Sequence, residues 1–157
     1  MIKKNIFCIL IMLLVTGCVG YEPLYSGNES NFNIGKIDYK GTDIKIAKKI
    51  GKSLKNIIRS KNNLKKIDII INLKKDKKIA TKDDRGTTTN FEMLIIINII
   101  ATETSNNETL LEKEYSFQKI YQNKSTASET ANLESKMIDD TVSEAVRLIN
   151  MDIQTLQ

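Results

Sequence analysis

The chain lacks histidine and tryptophan, and it has a single proline. Without histidine it has neither the commonest metal ligand nor the commonest general base. Its two cysteines, Cys8 and Cys18, both fall within the first 18 residues. A domain built from the rest of the chain can therefore hold no disulfide and no cysteine-based metal site. There is also no Ser/His/Asp set, no Cys/His set and no glycine-rich phosphate loop. The adjacent carboxylates Asp83/Asp84 and Asp139/Asp140 read as solvated turn and helix surface. These absences argue against an enzyme, and no cofactor or metal is expected.

What is present fits one modest domain. The 157 residues are 41% hydrophobic and 27% charged, enough apolar matter for a single core. The net charge of +5 is unevenly placed. Residues 36–78 hold 15 Lys/Arg against 4 Asp/Glu, whereas residues 101–157 hold 5 against 10. One face or end of the fold could thus be positive. Abundant Ile, Lys and Asn together are also what an AT-rich genome favours, so the basic balance by itself does not point to nucleic acid.

The N-terminus reads as an address. Lys3 and Lys4 precede an unbroken apolar run from Ile6 to Val15, and Thr16-Gly17-Cys18 offers small residues for cleavage. The run is too short to span a bilayer and suits a secretory signal over residues 1–17. Val15-Thr16-Gly17-Cys18 resembles the bacterial lipobox. That resemblance implies lipidation of Cys18, with several acyl chains holding the protein stably on a membrane. Cys8 would leave with the signal. Val19, rather than aspartate, is compatible with transport to the outer membrane.

Residues 18–31 look like a tether with a short apolar plug, Tyr21, Pro23, Leu24 and Tyr25. From Phe32 to Tyr39 the chain reads as a strand whose apolar phase slips at Gly35, which suggests a bulge. Thr42 or Asp43 can cap a helix carrying Ile46, Ala47, Ile50, Leu54, Ile57 and Ile58 at helical spacing, ending near Ser60. Gly51 within it suggests close packing on the sheet. Ile67, Ile69, Ile71 and Leu73 alternate as a second strand. A long polar stretch follows, with its turn at Asp83-Asp84-Arg85-Gly86. Phe91–Ala101 is apolar on both faces and should lie centrally. Leu111, Tyr115 and Phe117 mark a fourth strand. Ser125 or Thr126 can cap a last helix with Ala127, Ala131, Glu134, Ile138, Val142, Ala145 and Ile149 on one stripe, Glu134 at its edge.

The fold class is therefore α+β, in the order β-α-β-β-β-α. Two helices should cover one face of a mixed four-stranded sheet over residues 32–150, with 151–157 as a tail. The first two strands should be parallel through a right-handed crossover. The other sheet face must meet water or a partner. So compact a sandwich is not expected to offer a concave apolar pocket of its own.

Cys18-Val19-Gly20-Tyr21-Glu22-Pro23-Leu24-Tyr25 resembles the opening of the LptE family, the lipopolysaccharide-assembly lipoproteins. Many members begin with the lipidated Cys, then Gly, an aromatic residue, one variable residue and Pro-Leu-Tyr; Val19 is an insertion relative to that form. The order of strands and helices is also similar. The resemblance implies a non-enzymatic lipoprotein on the periplasmic face of the outer membrane, bound there through its acyl chains. It would plug the LptD β-barrel, assist its assembly and help deliver lipopolysaccharide to the surface. Lys74, Lys75, Lys77, Lys78, Lys82 and Arg85, around the second hairpin, are the candidates for contact with lipopolysaccharide phosphates. A solvated Lys-rich surface is the alternative reading of those residues. A lipoprotein that binds a lipid or peptide in its own cleft is the alternative function.

Overall fold

In the computed structural model, residues 31–58 and 65–156 are described. The signal, Cys18 and the tether up to residue 30 lie outside the described residues, as do 59–64 and 157. Six elements follow one another: β1 (Phe32–Gly41), α1 (Ile44–Ile57), β2 (Lys65–Lys82), β3 (Thr88–Glu103), β4 (Thr109–Gln122) and α2 (Ala127–Gln154). The sheet order is β1-β2-β3-β4. β1 runs parallel to β2, and the remaining pairs are antiparallel. This is the expected α+β order, with both helices on one face.

The bulge in β1 lies where the apolar phase slips. Ile34 pairs with Ile67 and Ile37 with Ile69, so β1 carries one extra residue. The Lys36 amide donates to Asp68 Oδ1 at 2.7 Å across the irregularity. The extra residue returns Ile37 and Tyr39 to the helix-covered face. β1 ends at Gly41, whose φ of +106° suits glycine, and a Cβ there would collide with the Leu73 backbone. Asp43 then caps α1, accepting from the Ile46 amide at 3.2 Å. Gly51 faces the Tyr39 ring so closely that no side chain would fit between them.

The core is a layer of aliphatics between helices and sheet. Ile67, Ile69, Ile71 and Leu73 of β2 meet Met93, Ile95, Ile97, Ile99 and Ala101 of β3. Tyr115, Phe117 and Tyr121 of β4 complete the sheet side. Ile46, Ala47, Ile50 and Leu54 come from α1, and Val142, Ala145, Val146, Ile149 and Ile153 from α2.

Four details differ from the sequence reading. β2 does not stop at Leu73 but continues to Lys82, because the polar segment pairs with β3 from Lys74↔Ile96 to Lys82↔Thr88. α2 is turned slightly from the expected stripe. Ala127 and Ala131 are exposed, and Thr130 and Thr141 are buried in their stead. Each buried threonine donates its hydroxyl to the carbonyl four residues earlier, Thr126 and Met137 respectively, so the helix backbone satisfies it. α2 also runs on to Gln154 with Ile153 fully buried, so the presumed tail belongs largely to the domain. Finally, α1 ends at Ile57 rather than near Ser60.

Candidate functional site

Two surfaces and the clefts between the helices carry the features a function would need. The first surface is the distal hairpin, where β2 and β3 run on past the end of β1. β1 pairs no further than Gly41↔Leu73, and β2 then continues for nine residues. The six candidate basic residues lie here, but a strand places alternate side chains on opposite faces. Lys75 and Lys77 point to the helix side. Lys74 and Lys78 point to the other face.

Glu134 of α2 takes both Lys75 and Lys77. Lys75 Nζ lies 2.9 Å from Glu134 Oε1, and Lys77 Nζ lies 2.7 Å from Oε2. The Tyr121 hydroxyl donates to the same Oε2 at 2.7 Å. Lys77 Nζ also sits 4.3 Å from the Phe91 ring centroid, a cation–π distance. Burial alone would raise the Glu134 pKa. The hydrogen bonds from Lys77, Lys75 and Tyr121 outweigh that and hold it at about 2. The charge that stood out within the apolar stripe is thus the anchor of a half-buried cluster. Sequence reading placed Glu134 only at the stripe's edge, because Tyr121 and the two lysines lie on other elements.

Lys78 pairs with Glu92 at 2.9 Å on the opposite face. Lys74, Lys82 and Arg85 form no ion pair among the described residues, and all three are exposed. The turn that presents Arg85 is fixed by Asp83, whose Oδ1 accepts from the Arg85 and Thr87 amides at 3.0 and 2.8 Å. The six candidates therefore do not form one patch. Three are committed to carboxylates, and three remain open to an anion.

The second surface is the sheet face that the helices leave bare. Ile70 pairs with Ile100 across β2 and β3, and Ile96 and Leu94 continue the row along β3. All four are half-buried and project away from the helices. Ile120 of β4 is 61% exposed on the same face. Asn72 and Asn98 face each other within the row. Glu112 and Glu114 border it on β4, and Lys40 and Lys74 on β1 and β2.

On the helix side, β4 is tied to α2 by side chains that alternation alone would not reveal. Lys113 Nζ pairs with Asp152 at 2.9 Å, and Lys119 Nζ with Glu144 at 3.2 Å. The Tyr115 hydroxyl donates to Asp152 Oδ2. Burial and this bond raise the Tyr115 pKa. Burial would also raise the Asp152 pKa, but the Tyr115 and Lys113 hydrogen bonds hold it below the usual carboxylate value.

Clefts open between the two helices. One, of about 220 Å³, is lined by Ser53, Ile57, Val142, Ser143, Val146, Arg147 and Asn150. Another, of about 370 Å³, is lined by Asp43, Lys45, Ile46, Lys49, Ala131, Glu134, Ser135 and Ile138. The sequence led us to expect no concave apolar pocket, and both clefts are lined by polar and charged residues as well as apolar ones.

Among the described residues no group of three or more cysteines and carboxylates could hold a metal ion, and no helix is long and apolar enough to cross a membrane. The fold and its surfaces define a small α+β domain with one helix-covered and one bare sheet face. No protein-family model and no curated protein matches the chain. Solved structures do, several lipoproteins among them. Rare lipoprotein B from Shewanella oneidensis aligns with a TM-score of 0.54 at 10% identity, covering 77% of this chain and 95% of that one. Lipoprotein B from Nitrosomonas europaea aligns with a TM-score of 0.52 at 16% identity, covering 78% and 84%. A minor lipoprotein from Acinetobacter baumannii aligns with a TM-score of 0.51 at 10% identity, covering 76% and 90%. At these identities the likeness is one of fold.

Proposed function

We propose that the chain is an outer-membrane lipoprotein of the LptE type, anchored through Cys18, that seats itself in the LptD β-barrel and assists lipopolysaccharide export. The observation that carries this reading is the bare sheet face. A row of aliphatics from Ile70 and Ile100 to Leu94, flanked by Asn72, Asn98 and charges of both signs, is half-dressed for a partner. Apolar patches rimmed by polar residues mark interaction surfaces. Barrel interiors are predominantly polar, so a plug needs this mixed surface rather than a uniformly greasy one. The lipobox, the Gly20-Tyr21-Glu22-Pro23-Leu24-Tyr25 opening and the fold shared with lipoproteins support the same reading. In it, Lys74, Lys82 and Arg85 are the cations free to meet lipopolysaccharide phosphates.

The test is affinity purification of the lipidated protein from outer membranes. The expected result is one large β-barrel in stoichiometric amount, lost when Ile96 and Ile100 are both changed to Asp. Recovery of the wild type with no barrel would overturn the reading. Recovery with a bound small molecule alone would favour a lipoprotein that carries a ligand in its own cleft.

A further inference from the structure

β2 is an edge strand for the last nine of its 18 residues. β1 leaves the sheet at Gly41, opposite Leu73, and among the described residues no strand lies beside the continuation to Lys82. Local bonds fix which main-chain groups face the vacated side. The Leu73 carbonyl accepts from the Thr42 amide at 2.8 Å, and the Lys75 amide donates to Thr42 Oγ1 at 3.0 Å. Alternation along the strand turns the main chain of Lys77 and Ile79 the same way. The Lys77 amide is covered by the adjacent Asp76 carboxylate at 2.9 Å. Ile79 is 49% exposed. The larger cleft, with Ala131 and Ile138 in its lining, opens on the helix side of this edge. Its rim ties it there, because Asp43 follows Thr42 and Glu134 holds Lys75 and Lys77. On the bare side stand Lys40 and Lys74, both exposed and without an ion pair among the described residues.

We propose that the distal edge of β2 binds an extended acidic segment of a partner protein by strand addition, in the place that β1 vacates. The incoming main chain bonds to Lys77 and Ile79. Aliphatic side chains on its helix-facing side lie over Ala131 and Ile138, and acidic ones on the other side meet Lys40 and Lys74. In such docking the main-chain bonds give affinity and the alternate side chains give specificity. Charge chooses the occupant. Residues 74–82 carry five lysines and one aspartate, so a second copy of the same edge is repelled. Edge lysines also discourage non-specific pairing, and an acidic strand turns the same charges to attraction. The site lies on the edge of the sheet, so it does not depend on what covers the bare face.

The full lipidated chain, in phosphatidylcholine nanodiscs, is titrated with three capped peptides: alternating Val and Glu, the same sequence fully N-methylated on its main chain, and alternating Val and Lys. The Val-Glu peptide should slow hydrogen exchange of the Ile79 amide saturably and leave the Asp76 and Lys78 amides, which face β3, unchanged. It should bind on the order of tenfold tighter than its N-methylated form, which keeps the charge and loses the donors. The Val-Lys peptide should not bind. Changing Lys40 and Lys74 together to Glu should weaken the Val-Glu peptide by on the order of tenfold or more and bring in the Val-Lys peptide. Ile79→Pro removes an outward amide, a change that edge strands tolerate, and should weaken the Val-Glu peptide likewise. If Ile79→Pro does not fold, the charge variant, at two exposed positions, decides. Equal affinity for the N-methylated form would reduce the edge to a charged surface and overturn the proposal. So would an absence of saturable protection at Ile79. Protection in the free chain that rises with protein concentration would assign the edge to a second copy and overturn it too.

Discussion

Glu134 and Lys77 meet at 2.7 Å across 57 positions of sequence, and their contact holds the distal hairpin against the last helix. Lys75 and Tyr121 converge on the same carboxylate, so β2, β4 and α2 share one junction. This junction has a defined pH dependence. The ordinary glutamate pKa is 4.5, and in the fold it is held at about 2. A depressed carboxylate pKa contributes stability that is present above the unfolded value and lost as pH falls through the folded one. The contribution should be intact above about pH 4.5 and disappear toward about pH 2. At about 1.4 kcal/mol per unit it is at most about 3–4 kcal/mol. Glu134→Gln should lower stability at pH 7 by about 1–3 kcal/mol and flatten the stability–pH curve in that acid window. Urea unfolding of both proteins at several pH values gives the answer, and parallel curves would show that the cluster is not coupled to folding.

Ile97 lies on the central strand and has no exposed surface. Ile97→Asp should abolish the cooperative melt, because an unpaired buried carboxylate costs several kcal/mol against a total stability of roughly 5–15. A wild-type transition in this variant would contradict the placement of β3.

The start of α2 depends on a reciprocal cap. The Glu129 amide donates to Thr126 Oγ1 at 3.2 Å, and the Thr126 amide donates to Glu129 Oε2 at 3.2 Å. Thr126→Ala should cost about 0.5–2 kcal/mol. Hydrogen exchange should quicken first at residues 127–131, before any change in the core strands. Uniform acceleration across the domain would instead mean that the cap supports global stability only.

The basic hairpin residues should now divide into two groups. Changing Lys74, Lys82 and Arg85 together to Gln should weaken binding to lipopolysaccharide and reduce its salt dependence. Exposed charges of this kind are screened over about 10 Å at 0.1 M salt and about 3 Å at 1 M. The melting temperature should hardly move, since isolated surface charges contribute under about 1 kcal/mol. Changing Lys75 and Lys77 should do the reverse, lowering stability through Glu134. Binding at two salt concentrations, alongside thermal melts, separates the groups. If the triple variant binds with unchanged affinity and salt slope, those three residues are simply hydrated.

Cys18→Ala should yield an unlipidated and mislocalised protein, because the thiol that would carry the diacylglycerol is gone. Metabolic labelling with a fatty acid checks this, and undiminished label in the variant would refute the lipobox reading.

The sequence by itself determined the elements and their order. Period-two alternation at Ile67–Leu73, helical spacing from Ile46 to Leu54, and the slip of phase at Gly35 are local signals, and the folded chain obeys each of them. The acidic-to-basic asymmetry was equally plain, as was the turn at Asp83–Gly86. Tertiary structure decided what local pattern cannot encode. The segment Lys74–Lys82 is too polar to announce itself as a strand, yet β3 supplies an unbroken partner and draws it into the sheet. Once it is a strand, its lysines separate onto two faces, and only then does Glu134 become the partner of Lys75 and Lys77. The burial of Thr130 and Thr141 in place of Ala127 and Ala131 depends on a small rotation of α2, set by its packing on the sheet and α1. Asn150, the buried acceptor without a partner, is the clearest case. Its residue type suggests surface, and only the packing of the helices buries it beside a cleft.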